Sequence, residues 1–149
     1  MKTFYISVFL ILFMANSNAQ SNPFNLKKDH DAILVKDLDA SAEFYGEVLG
    51  LEEIPTVGLP DYIRWFQLGD KVQIHLIESE EILEKTKGVH MSLATDKLNE
   101  LMDFLKSESI DFENWPGEAN TTNTRPDGVK QIYVQDPDGN WIEINDNNL

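Results

Sequence analysis

Four side chains in this sequence have the types and placement for metal chemistry: His30, His75, His90 and Glu143. The first three are all the histidines the chain has. Neutral imidazole and carboxylate suit a divalent transition metal, and a coordination position left open on it would permit catalysis. A closed structural site is the competing reading, but such sites favour cysteine, which is absent. Taken singly, each histidine also reads as a polar strand residue facing solvent. The elements that carry the four residues favour the metal reading.

Successive residues of a strand point to opposite faces, so i and i+2 share one. In 72–77, Val72, Ile74 and Leu76 take the face opposite His75, and in 141–144 Ile142 and Ile144 take the face opposite Glu143. Ile33 and Val35 oppose His30 in the same way, as do Val89, Met91 and Leu93 for His90. All four polar residues thus lie on faces turned away from an aliphatic core. If two sheets curve about one cavity, they can converge.

The chain also repeats its plan. A strand over 30–35 leads into a helix capped by Asp37 or Asp39. Its apolar stripe is Phe44, Tyr45, Val48 and Leu49, with Gly50 at the C-terminal cap. Strands over 63–68 and 72–77 flank Gly69-Asp70, a hairpin signal. In the second half, 89–94 reads as a strand, and Thr95 or Asp96 caps a helix with apolar positions Leu98, Leu101, Met102 and Leu105. After a polar loop over 116–127, strands over 130–135 and 141–145 form a hairpin around Asp136-Pro137-Asp138-Gly139-Asn140. Offsetting the halves by 60 aligns His30 with His90, Ile33 with Leu93, Leu38 with Leu98 and Phe44 with Phe104. Near the ends an offset of 68 sets Gln67 opposite Gln135 and His75 opposite Glu143. A doubled βαβββ unit explains these matches, with chance coincidence as the alternative. The expected fold class is α+β, with modules over 30–79 and 89–146 enclosing a cavity with a curved mixed sheet.

Composition narrows the partners. Twelve Lys and Arg against 26 Asp and Glu give a formal charge of −14, which disfavours nucleic acid and anionic membranes. Residues 1–19 have the layout of a secretory signal peptide. Lys2 precedes an apolar run from Phe4 to Met14, and Ser17 and Ala19 fill the small-residue positions before a cut. The run is shorter than the ~20 residues needed to span a bilayer. The expectation is an exported protein, periplasmic or secreted, starting near Gln20. A polar leader over 20–28 then precedes one domain over 29–149.

The stretch from His30 to Leu51 resembles the opening signature of the vicinal oxygen chelate superfamily: a histidine, then V-x-D-L-x-x-S-x-x-F-Y, then L-G-L. The stretch Asp136 to Glu143 is similar to its D-P-D-G-x-x-I-E ending. The superfamily includes glyoxalase I, fosfomycin-resistance proteins, bleomycin-resistance proteins and extradiol dioxygenases. The resemblance implies two βαβββ modules around one divalent ion (Zn, Ni, Mn, Co or Fe), commonly completed by dimerisation. By position, His30, His75, His90 and Glu143 match the four ligand places. Glyoxalase I usually carries a carboxylate where this chain has His75.

Under the glyoxalase-like reading the protein is a lyase or isomerase for a small oxygen-rich substrate. The ion would stabilise an enediolate or other oxyanion, and Glu143 would move the proton. The alternatives are an extradiol-type dioxygenase and a binding protein without turnover. Arg64, Arg125 and Lys130 are cations that could hold a substrate carboxylate or phosphate, or simply be exposed charges. Tyr62, Trp65 and Trp141 could line the pocket or pack.

Overall fold

A computed structural model of the chain describes residues 24, 26–55, 58–69, 71–81 and 84–148. The signal-peptide reading of 1–19 and the cut before Gln20 lie outside the described residues. Among those residues no helix is long and apolar enough to cross a membrane.

The first half consists of β1 (His30–Val35), α1 (Leu38–Glu43), β2 (Glu52–Ile54), β3 (Ile63–Leu68) and β4 (Val72–Glu78). The second is β5 (His90–Ala94), α2 (Leu98–Ser107), β6 (Phe112–Glu113), β7 (Asn123–Thr124), β8 (Lys130–Gln135) and β9 (Trp141–Asn145). The first sheet has strand order β1-β4-β3-β2, and the second repeats it as β5-β9-β8-β6, with β7 on β8. In each, the first strand pairs in parallel with the last. The α+β class and the doubled plan expected from the sequence are therefore present.

Local chemistry explains the elements. The Asp37 carboxylate caps α1 by accepting from the Ala40 amide at 3.0 Å. The helix continues as a π-helical turn, Phe44–Val48, in which the Leu49 amide reaches the Phe44 carbonyl at 3.1 Å. That wider turn places the neighbours Phe44 and Tyr45 both in the core. Leu49 is the C-cap, and Gly50 just after it reverses the chain with φ +67°, the left-handed conformation that favours glycine there. At the second helix Lys97 occupies the N-cap without a side-chain bond; the Thr95 hydroxyl accepts from the Lys97 amide at 3.1 Å instead. Val89 lies just outside β5 and is 79% exposed. The three shortest strands, β2, β6 and β7, carry too few residues to show an alternation in the sequence.

One core joins both halves. Val35, Phe66, Ile74 and Leu76 of the first sheet and Ile132, Val134, Ile142 and Ile144 of the second are buried with Leu38, Tyr45, Leu98 and Leu105. The turn after β8 fastens the modules together. Asp138 accepts from the Lys36 amide at 2.9 Å and from the Ser41 hydroxyl at 3.2 Å, and Asp136 accepts from the Tyr45 hydroxyl at 3.2 Å. Burial pushes the Asp136 carboxyl above its ordinary value, although bonds from Asn140, Tyr45 and Asp138 oppose the shift.

Candidate functional site

Strand register places the four candidate ligands in two pairs, one on each sheet. In the first sheet Ala32, His75 and Trp65 are cross-strand neighbours, and His30 stands two residues before Ala32 on the same face. The rings form a continuous stack. His75 lies 4.1 Å from Trp65 with planes 9° apart, and 4.2 Å from His30 with planes 14° apart. The His75 Nε2 is 2.9 Å from Gln73 Oε1. Burial and the neighbouring His30 hold the His75 imidazole below its ordinary pKa, in the neutral form.

In the second sheet Ser92, Glu143 and Tyr133 are cross-strand neighbours. Glu143 is 5% exposed and is the hub of a polar network. Its Oε2 accepts from the Tyr133 hydroxyl at 2.6 Å. Its Oε1 accepts from Asn145 Nδ2 at 2.7 Å, Arg125 Nη1 at 3.1 Å and the Ser92 hydroxyl at 3.3 Å. Burial works against ionisation of Glu143. The Tyr133 and Asn145 bonds, with His90 and Arg125 beside it, outweigh that and hold its carboxyl below the ordinary range. The same contact, after burial, pushes the Tyr133 phenol up, so it remains a donor at neutral pH.

His90 faces this carboxylate. Its Nδ1 is 2.7 Å from the Lys87 carbonyl, which can only accept, so Nδ1 carries a proton. Its Nε2 is 3.3 Å from Glu143 Oε2. A proton or a cation between these two atoms would be held by both. Donor atoms each about 2.1 Å from one ion sit about 3.0–3.5 Å apart at octahedral to tetrahedral angles. The His90–Glu143 pair therefore fits a divalent ion. The His30–His75 pair fits less well. An imidazole binds in its ring plane, and two nearly parallel planes stacked at 4.2 Å do not meet at one ion. For both to serve together, one ring must leave the stack, and His30 is the more exposed. Among the described residues no three His, Cys, Asp or Glu side chains are grouped closely enough to hold an ion.

The tentative substrate contacts separate. Arg125 reaches the site through Glu143 and is also bound by Asp127, at 3.2 Å through Nε and through a second, shorter contact. Arg64 lies on the other face of its sheet, in alternation with buried Phe66. There it pairs with Glu53 at 2.8 and 2.5 Å and with Asp39 at 2.9 Å. Lys130 is exposed and out of alternation with Gln131 and Tyr133. Trp65 packs in the ring stack, Trp141 lies under the Lys87 ammonium at 4.8 Å, and Tyr62 is half exposed.

Sequence reasoning passed over Tyr133, Ser92 and Asn145. Ser92 and Asn145 follow His90 and Glu143 by two residues, so alternation alone places them on the site face. Tyr133 required the β8–β9 register. The 114–125 segment adds Trp115, whose ring centroid is 5.5 Å from Tyr133 and 6.5 Å from His90. At the junction of the modules, a cavity of about 340 Å³ is lined by Leu34 of β1, Thr86, and His90 and Trp141 of the second sheet.

Paired βαβββ modules with a histidine–carboxylate pair on the second sheet define the class as a two-module α+β cavity protein. The chain belongs to the Glyoxalase/Bleomycin resistance protein/Dioxygenase superfamily, whose profile matches residues 27–144. It is 31% identical over 130 residues to the uncharacterized protein YwbC of Bacillus subtilis, covering 78% of this chain and 94% of that one. It is 29% identical over 126 residues to a probable lactoylglutathione lyase of Vibrio parahaemolyticus, covering 77% and 86%. Among solved structures it is similar to a Bacillus anthracis protein placed in the glyoxalase family. That match has TM-score 0.65 and 27% identity, covering 83% and 96%.

Proposed function

We propose that this protein is a metal-dependent, glyoxalase-like enzyme of the lyase or isomerase type, acting on a small oxygen-rich molecule. The observation that carries the reading is the contact between His90 Nε2 and Glu143 Oε2, an imidazole nitrogen and a carboxylate oxygen 3.3 Å apart at a spacing that one divalent ion can bridge. A divalent ion bound there supplies Lewis-acid polarisation of a substrate oxygen. Glu143 is the group to take and return a proton, and the bonds from Tyr133, Ser92 and Asn145 fix its carboxylate in one orientation. The Lys87 carbonyl keeps His90 in the tautomer whose Nε2 lone pair faces the site. Trp115 and Tyr133 form an aromatic wall beside them.

His30 is the proposed ligand from the first sheet, while His75, the fourth candidate, is held between Trp65 and His30 and supports the stack. Because no three candidate ligands are grouped among the described residues, the two half-sites are proposed to meet across a homodimer. Superfamily proteins act on small molecules and often form dimers. The leader sequence supports export from the cytoplasm.

Two measurements test the function. Elemental analysis of protein purified without a metal-binding tag should show one divalent ion per site. Small 2-hydroxycarbonyl compounds in deuterated water should exchange their C–H proton in the presence of wild type and not of Glu143→Gln. Full metal content with no exchange would replace the enzyme reading with a binding protein. The stack that withholds His75 favours a second reading, an extradiol-type dioxygenase, because His30, His90 and Glu143 alone make two histidines and a carboxylate. Bound iron with oxygen uptake on a catechol would select it.

A further inference from the structure

Glu143 already has a cation. Arg125 Nη1 donates to Oε1 at 3.1 Å, and the rest of the guanidinium is held by Asp127 through Nε and Nη2. Oε1 also accepts from Ser92 and Asn145, three donors on one carboxylate oxygen that has about two lone-pair sites. Arg125 is the one charged donor of the three. A divalent ion on Oε2 would stand on the same carboxylate as this guanidinium, so like charges would meet across a single buried group. It would also draw the negative charge that Arg125 neutralises.

Resting on the metal site proposed above, we propose that Arg125 is a resident counter-cation of Glu143 that a divalent ion displaces. Before loading, Arg125 helps Tyr133, Ser92 and Asn145 hold the Glu143 carboxylate in place. Loading breaks the Nη1 bond, while Asp127 retains the guanidinium at the rim of the site. Metal binding and the Arg125–Glu143 ion pair oppose each other, and the coupling is reciprocal: removing the ion pair must tighten the metal by the same factor that the metal weakens the pair. Asp127 acts through Arg125 as a positioning residue. Because it holds the displaced guanidinium away from Glu143, removing it should act in the opposite direction, leaving Arg125 bound to Glu143 more firmly and the metal more weakly.

The test is isothermal titration of metal-free protein with Zn²⁺ and Ni²⁺, on wild type, Arg125→Met, Arg125→Lys, Asp127→Asn and Glu143→Gln. Arg125→Met is expected to bind about tenfold more tightly than wild type, within the usual range of couplings. Asp127→Asn should weaken binding severalfold, and Arg125→Lys, which keeps a charge, should stay within about threefold of wild type. Separately, the Arg125 Nε–H resonance of wild type should shift on saturation with diamagnetic Zn²⁺. Equal or weaker affinity in Arg125→Met, with weakened binding in Glu143→Gln, overturns the displacement while leaving the metal site standing. Wild-type affinity in Glu143→Gln overturns both.

Discussion

The imidazole of His75 lies face to face with the indole of Trp65, 4.1 Å apart and within 9° of parallel, and His30 covers its other side. A ring held on both faces is a wall of the site before it is a ligand. His75→Phe preserves the stack and removes the nitrogens. Its metal affinity should stay within about threefold of wild type, whereas His30→Ala and His90→Ala should each lose about tenfold or more, the size of loss that even supporting residues can cause. Calorimetric titration decides, and a tenfold loss in His75→Phe would return His75 to the ligand set.

Glu143 ties the site to acid stability. Its carboxyl is held low in the folded chain, so its ionised form stabilises the fold at neutral pH. That contribution should vanish as the pH falls from the ordinary glutamate value of about 4.3 through the lower folded value. Tyr133→Phe removes one of the bonds that lower it. Urea unfolding as a function of pH should show the variant losing stability at a higher pH than wild type, and coincident acid profiles would refute the assignment.

The inter-module fastening should be cooperative with folding. Tyr45→Phe deletes the buried bond to Asp136. It should cost about 1 kcal/mol, because Asp136 keeps its bonds from Asn140 and the Asp138 amide. Asp136→Ala leaves several donors without a partner and should cost about 3 kcal/mol. Equilibrium denaturation measures both, and a milder Asp136→Ala than Tyr45→Phe would contradict the arrangement.

The proposed sharing of one site between two chains makes assembly testable. Sedimentation at micromolar concentration should give about twice the 17.0 kDa chain less its leader. Mixing His30→Ala with His90→Ala protein should restore some metal-binding sites, since one of the two pairings in a mixed dimer is intact. A monomer with full metal content would place the complete site in one chain.

Export predicts a mature N-terminus at or next to Gln20. Terminal sequencing of protein from its native host checks this, and intact Met1 on cytoplasmic protein would remove it.

Alternation alone carried a large part of this structure. Val35, Ile74, Leu76, Ile142 and Ile144 are buried because strand geometry sends them to one side, and the same rule put His30, His75, His90 and Glu143 on the other. It also held information about Arg64, which precedes Trp65 and follows Ile63 and so shares the core side with Phe66. Pairing between strands distant in sequence is what the order of residues left open. Register brings Trp65 against His75 and Tyr133 against Glu143, and a shift of one residue would have reversed every face. The ring stack, the fourfold capture of Glu143 and the reach of Arg125 across 18 residues arise from that pairing and from how the 114–125 segment folds over the second sheet. These are tertiary outcomes because a hydrogen bond or a stacked ring depends on positions within a few tenths of an ångström, whereas hydrophobic periodicity fixes only which side of a strand a residue occupies.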